Sequence, residues 1–536
     1  MNAALAIHGD YAYIGSRTDF HDDGEAFSGV MIVDISDPAA PEVVNVLGPP
    51  DTANPGESSR ELRVWQSQDI LIVLHTNCGG PGAHECHAPS VNNFKFFDIS
   101  GDNATDPQLI AQVNQDTHEF FLWEDPNDPE RALMFGGSAG SGGTALSIWD
   151  LSPLLEGRPP PRIHASPHGY TGIPPNLVTI DQPSAAAGTY QATGAEFGPA
   201  PDATGIAGDV VLVNDGTASP TQGCNPLVGF PAGAIALVDR GTCGFTQKAN
   251  NAQNAGATGM IVANNAPGAP ITMGGTDPAI AIPSVMVSQA DGTTIKTGLP
   301  ATGMVTSNPQ PPVRSCHDTG VILGDAMLAG CAGGNGFSVW SLDPADGGSL
   351  EDPAILYSRA VPGVSIGHSA SFSWDGEILI FGHEPGGGGQ AQCQASTPEV
   401  NRTMFFFESR TGVELGRHVL PRPQTNTENC TIHNYNVVPT DKGHVLVHGS
   451  YQSGIGVVDF TDPANATEIA SADPAPLSET GLVLGGDWST YWYDGFIYES
   501  DIRRGLLNWK LSDPAVAGVR KLGHLNPQTQ ETTFAL

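Results

Sequence analysis

At 536 residues, with 57 acidic side chains against 22 basic ones, the chain carries a formal charge of −35. That balance excludes a nucleic-acid footprint, which needs clustered Lys and Arg, and docking on an anionic membrane surface; no apolar run reaches the roughly 18 residues of a spanning helix. With 66 Gly, 44 Pro and only 15% charged residues, the composition fits many strands joined by turns and little helix.

The chain starts with Met1-Asn2 and runs directly into a strand, so a start trimmed of an export leader is expected. The first unit reads YAYIGS…GVMIVDISDPAAPEVVNVL (residues 11–47): a strand, a loop, a second strand, a D-x-S-D-P turn and a third strand. Pro presets φ in that turn and the Asp side chain holds its own backbone. The acidic DFHDDGE inside the loop (residues 19–25) lacks the spacing and glycine of a calcium-binding EF loop, so a solvated loop is expected. The second unit holds HTNCGGPGAHECH (residues 75–87), where two Cys alternate with three His; a bridged loop and a thiolate metal site are both open. In the third unit GGSAG (residues 136–140) matches G-x-S-x-G, but another strand follows where a nucleophile elbow needs a helix.

The turn returns as FFDISGDNATDP, VVDFTDPAN and WKLSDPAV, and more loosely as SLDPADGG. Aligning the copies puts inner-strand starts near Asn2, Glu61, Glu119, Asp318, Ser369, Asn434 and Ser489. That makes seven units of about 55 residues, each with room for four short strands. The turn and strand text resembles LVIVD-repeat β-propellers, strongly in the first and sixth units. The resemblance implies a mainly β fold, a seven-bladed β-propeller with blades 1–3 over residues 1–170 and blades 4–7 over 313–536.

Residues 171–312 lack the blade pattern. Their core, GAIALVDRGTCGFTQKANNAQNAGATGMIVANN, predicts a buried strand at Ile235–Val238, a small-residue helix near Lys248–Ala255 and a second strand at Met260–Ala263. With AIPSVMVSQADGTTI after it, the stretch resembles a protease-associated (PA) domain, a small α/β module. That resemblance implies a Cys224–Cys243 bridge and a role in gating or binding substrate without catalysing. Inserted between blades 3 and 4, it is expected to cover the top face as a lid. No peptidase domain is recognisable beside it.

The eight cysteines fall in close pairs: Cys78/Cys86, Cys224/Cys243, Cys316/Cys331 and Cys393/Cys430. Four disulfides in an exported protein, extracellular or on the cell surface, is the reading this supports.

In a propeller the loops before the first strand and after the second crowd one mouth of the channel. His118, His317, His368 and His433 share one column, each just before the polar residue that opens an inner strand, in four consecutive blades. Arg60 and Trp488 hold that column in the second and seventh blades. At the ends of second strands come His75, His383 with Glu384, His448 and Glu499. Two readings of the column stand. The polar pairs could tie neighbouring blades through hydrogen bonds. Alternatively, the four imidazoles hold one transition metal ion (Zn, Cu, Fe or Mn), with Glu119 and Asp318 orienting them from behind. On the metal reading, His448, His383 and Tyr491 are candidates to move a proton, and Arg60, Trp488 and Arg503 to bind substrate.

The two readings lead to two functions. One is a secreted metal-dependent enzyme acting on a small molecule or polymer at the top face, by oxidation, elimination or hydrolysis. The other is a non-catalytic extracellular or cell-surface scaffold. Neither involves nucleic acid or a membrane span.

Overall fold

The computed structural model describes residues 2–16, 29–47, 57–77, 92–115, 117–125, 127–137, 146–166, 176–181, 183–266, 270–307, 313, 316–322, 326–520 and 524–525. DFHDDGE, Cys78, Cys86, His87 and Ser138 lie outside them. The chain divides into two compact units, Met1–Thr171 with Val313–Leu536, and Gly172–Pro312.

The first unit is a seven-bladed propeller, built from seven antiparallel sheets. Inner strands run over Asn2–His8, Glu57–Trp65, Glu119–Glu124, Thr319–Ile322, Gly367–Phe372, Tyr435–Val437 and Asp487–Tyr493. Each is followed by strands with alternating apolar residues, so every blade is apolar on both faces and must be covered by its neighbours. The ring closes through that covering. Leu62 and Val73 of the second blade pack with Tyr13 and Ile32 of the first, and Phe94 and Leu74 meet Phe120 and Met134 of the third. Packing continues around to Leu5 and Ile7 of the first blade, which meet Tyr491 and Tyr498 of the seventh. A sandwich would leave two of these faces bare.

Among the described residues the first sheet has five strands, the next five blades have four as expected and the seventh has three. After Trp509 the chain enters the LSDP turn, and Val516 packs into the core shared by the sixth and seventh blades. A short strand at His524–Leu525 pairs instead with the first blade's inner strand.

The second unit is a closed barrel of seven strands with helices at Phe245–Asn254 and Gln289–Thr297. Its parallel strands Ile235–Asp239, Gly259–Ala263 and Ser284–Val287 are apolar apart from Asp239 and Ser284 at their ends, as expected of strands covered on both faces. Ala249 and Ala252 are fully buried where the first helix meets the barrel. Gly256 follows the helix at φ +89, a conformation that suits glycine. Cys224–Cys243 is bridged, as are Cys316–Cys331 and Cys393–Cys430 of the propeller. Among the described residues no helix is long and apolar enough to cross a membrane.

Candidate metal centre

The column residues owe their position to a repeated backbone device. The ladder slips between Ser59 and Glu61, between Gly367 and Ala370, and between Asp487 and Ser489. Arg60, His368 and Trp488 therefore sit in bulges, where an extra residue is left out of the pairing and its side chain is re-aimed. In the third, fourth and sixth blades the histidine stands just ahead of its strand. Its N–H is still satisfied, by Gly137 O for His118, Ala332 O for His317 and Gly449 O for His433. Gly137 also allows a close approach: a Cβ there would meet the backbone oxygens of Cys316 and His317 at 2.8 Å.

The four imidazoles form a continuous row. Ring centroids are 4.4 Å apart for His118–His317, 4.2 Å for His317–His368 and 4.2 Å for His368–His433. Two carboxylates face the row. Glu119 Oε1 lies 3.8 Å from His317 Nδ1 and 3.6 Å from His368 Nε2. Glu384 Oε2 lies 3.8 Å from His368 Nε2, and its Oε1 is 3.5 Å from His433 Nε2. Donor atoms of His118, Glu119 and His317 lie within 4.8 Å of one another, as do those of His317, His368 and Glu384.

Hydrogen bonds fix the tautomers. Ser369 Oγ donates its single proton to the carbonyl oxygen of His433 at 2.7 Å. It must therefore accept the proton of His368 Nδ1, 2.6 Å away. His433 Nδ1 in turn lies 2.8 Å from the Trp488 carbonyl oxygen, an acceptor only, so the proton is on Nδ1 there too. Both rings present Nε2 lone pairs to the carboxylates. The polar partners meanwhile join blades: Asn434 Nδ2 donates to Trp488 O, and Thr319 Oγ1 to Phe135 O. Tying blades and presenting lone pairs are thus two uses of one arrangement.

Burial sets the charge states. It pushes His317 well below the ordinary histidine value, with His368 and His118 adding to the effect. It also lowers His368, against the opposing pull of Glu384. Burial raises the Glu119 carboxyl well above its usual range, helped by Glu61 and Asp318. Neutral imidazole is the metal-ligating form, and a cation placed among these groups would stabilise both carboxylates as anions.

The structure brings Arg60 and Trp488 to the same place. The Arg60 guanidinium stands 5.0 Å over the Trp488 ring, which lies 4.5 Å from that of His433. Asp318 does not face the row in the same way: its Oδ1 accepts the Thr319 N–H, and Arg63 and Glu61 act on its charge. Tyr491 is buried on the seventh inner strand, within the influence of Glu61 and Arg63. The other three sequence candidates are not brought to the row. His383 Nε2 accepts the Ser365 N–H at 3.2 Å, His448 belongs to a separate cluster with His418 and Glu468, and Arg503 bonds Leu484 O and Asp501.

Glu384 was expected at this mouth from its place after a second strand, but with no role; Tyr451 was not among the sequence candidates. Tyr451 Oη donates to Glu384 Oε1 at 2.6 Å, and its ring lies 4.7 Å from His433. The available signal was the GGGG run after FGHEP. Gly386, Gly387 and Gly388 all have φ between +61 and +72, and a Cβ on Gly388 would run into Tyr451 and come within 2.7 Å of Glu384 Oε1.

Comparison with known proteins finds the PA domain over residues 186–295 and an LVIVD repeat over residues 3–46. Curated relatives include Signal peptide peptidase-like 2 of Arabidopsis thaliana, 32% identical over 145 residues (26% of each chain). Leucine aminopeptidase 2 of Arthroderma otae is 32% identical over 185 residues (33% of each). An aminopeptidase of Pseudomonas aeruginosa is 56% identical over 46 residues, 8% of this chain and 9% of its own. The chain thus spans a third or less of these relatives' lengths. Among solved structures, the Pseudomonas aeruginosa periplasmic gluconolactonase PpgL aligns at TM-score 0.47 and 10% identity, over 98% of this chain and 97% of its own. The zinc aminopeptidase BSAP of Bacillus subtilis aligns at TM-score 0.20 and 22% identity, over 26% and 31%.

Proposed function

We propose that this is an extracellular metal-dependent enzyme whose single transition ion is held by His118, His317, His368 and His433, with Glu119 and Glu384 beside them. The observation that carries the reading is His368 Nε2, fully buried with its lone pair directed between two carboxylates. At 3.6 and 3.8 Å neither carboxyl can hydrogen-bond it. A buried lone pair without a hydrogen-bond partner is costly unless something positive lies against it. Imidazole-rich sites suit Zn, Cu and Fe, and such an ion supplies either Lewis-acid or redox chemistry to a substrate oxygen. Tyr451 holds Glu384 in place, and the Arg60 cation beside the row suits a substrate bearing a carboxylate. The three described disulfides suit an oxidising compartment.

A hydrolase of small peptide or ester substrates is the second reading. It is favoured by the peptidases among the relatives, which share only part of their length with this chain.

Metal analysis of protein purified without a His-tag tests the proposal, followed by assays on oxidisable, uronate, ester and peptide substrates. The expected result is one ion at this site, lost in His368→Ala and His317→Ala together with any activity found. Wild-type protein that takes up no ion at the row would overturn it.

A further inference from the structure

We propose that His418, His448 and Glu468 form a second, structural site for a divalent zinc-like ion, joining the fifth blade to the sixth. The three residues come from separate strands. His418 is on the fifth blade's outer strand, Glu414–Val419; His448 lies on Val445–Gly449 and Glu468 on Thr467–Ala472 of the sixth. Their donor atoms lie within 4.8 Å of one another. A tetrahedral zinc with bonds of about 2.1 Å draws donors to about 3.4 Å apart.

Three buried atoms here have no hydrogen-bond partner: His418 Nε2, His448 Nε2 and Glu468 Oε2. The other polar atoms of His448 and Glu468 are engaged. His448 Nδ1 lies 3.0 Å from Ser450 Oγ, and Arg422 Nη1 donates to Glu468 Oε1. Arg422 is held further by Asp473 Oδ2, 3.5 Å from its Nε, so the guanidinium is directed to the carboxylate's other oxygen. This is how ligating side chains are usually braced. His448 is fully buried and His418 nearly so, and burial holds both imidazoles below the ordinary histidine value. Two nitrogens and one carboxylate oxygen match a common zinc donor set.

The space is kept by glycine. Gly456 pairs with His448 across the strands; a Cβ on it would run into His448 Nε2 and come within 3.0 Å of Glu468 Oε2. Gly416, two residues before His418, lets the fifth blade's outer strand lie directly against the Pro463–Ala464 backbone.

The test is zinc uptake by chelator-treated protein, read as ions per chain and as Tm. His317→Ala/His368→Ala removes the first site, so whatever zinc that variant binds reports the second. One ion per chain and a Tm raised by a few degrees are expected there, with both lost on adding His448→Gln. In the otherwise unaltered chain, His418→Gln and Gly456→Ala are each expected to lower the stoichiometry by one; these variants keep the test open if the triple variant does not fold. An unchanged zinc count in His418→Gln and Gly456→Ala would overturn the proposal. So would a folded first-site variant that takes up no zinc. Loss of zinc confined to the His317 and His368 variants would instead leave only the first site standing.

Discussion

Ser369 Oγ accepts the Nδ1 proton of His368 at 2.6 Å while donating its own proton to the His433 carbonyl oxygen at 2.7 Å. One hydroxyl therefore decides which nitrogen of His368 is bare. It also joins the fifth blade to the sixth. Ser369→Ala is expected to weaken metal binding about 10- to 100-fold, as losses behind a ligating histidine do, and to cost about 1–3 kcal/mol for the polar groups left buried. Competition against a chelator and urea denaturation read the two effects. Ser369→Thr restores the hydroxyl and is expected to recover much of the affinity.

Gly137→Ala is expected to act on the same row from the backbone. Its new Cβ would press on the Cys316 and His317 carbonyl oxygens at 2.8 Å, which cannot rotate away as a side chain would. Overpacking of this kind costs about 1–3 kcal/mol. Displacement of His317 is expected to reduce metal uptake at the row even though every candidate ligand is still present. Denaturation and metal stoichiometry measured on one sample check both.

Phe406 of the fifth blade and Phe460 of the sixth stack with centroids 5.0 Å apart and planes 2° from parallel, both fully buried. Phe460→Ala is expected to destabilise the chain by about 3–5 kcal/mol. It removes no candidate ligand at the histidine row, so metal stoichiometry there should be unchanged under native conditions. The pair separates a loss of packing from a loss of the centre.

Glu499 carries a pH dependence of its own. Burial raises its carboxyl from 4.5 to about 7, against the Trp509 indole N–H and with Asp501 adding. The folded chain thus holds a proton that the unfolded chain releases earlier. The stabilisation is complete below pH 4.5 and is lost as pH rises through 7, to a ceiling of about 3 kcal/mol at ~1.4 kcal/mol per unit. Glu499→Gln is expected to flatten the stability profile between those limits, as measured by urea midpoints across the range.

Much of the ring was legible because strand alternation and D-x-S-D-P turns are local signals. Glu119 begins its strand where expected, and Asp318 and Asn434 stand one residue ahead of theirs. That the seventh blade has three strands among the described residues was not legible: WKLSDPAV carries the same turn that leads into a fourth strand in other blades. At the site, the histidine column could be read because one position recurs per repeat. Glu384 could be placed at the mouth, but its bond to Tyr451 could not, since that contact is packed against Gly388, the last of three left-handed glycines. His418 was equally hidden, being an outer-strand residue that acquires its partners only from the neighbouring blade.

The bulges that carry Arg60, His368 and Trp488 take those side chains out of the ladder. No strand-pairing bond depends on which residue stands there. Each blade can therefore exchange its contribution at the mouth separately, arginine for histidine or histidine for tryptophan, while its own sheet is retained. Such a ring is a modular socket: its chemistry is open to revision one blade at a time, by evolution or by design.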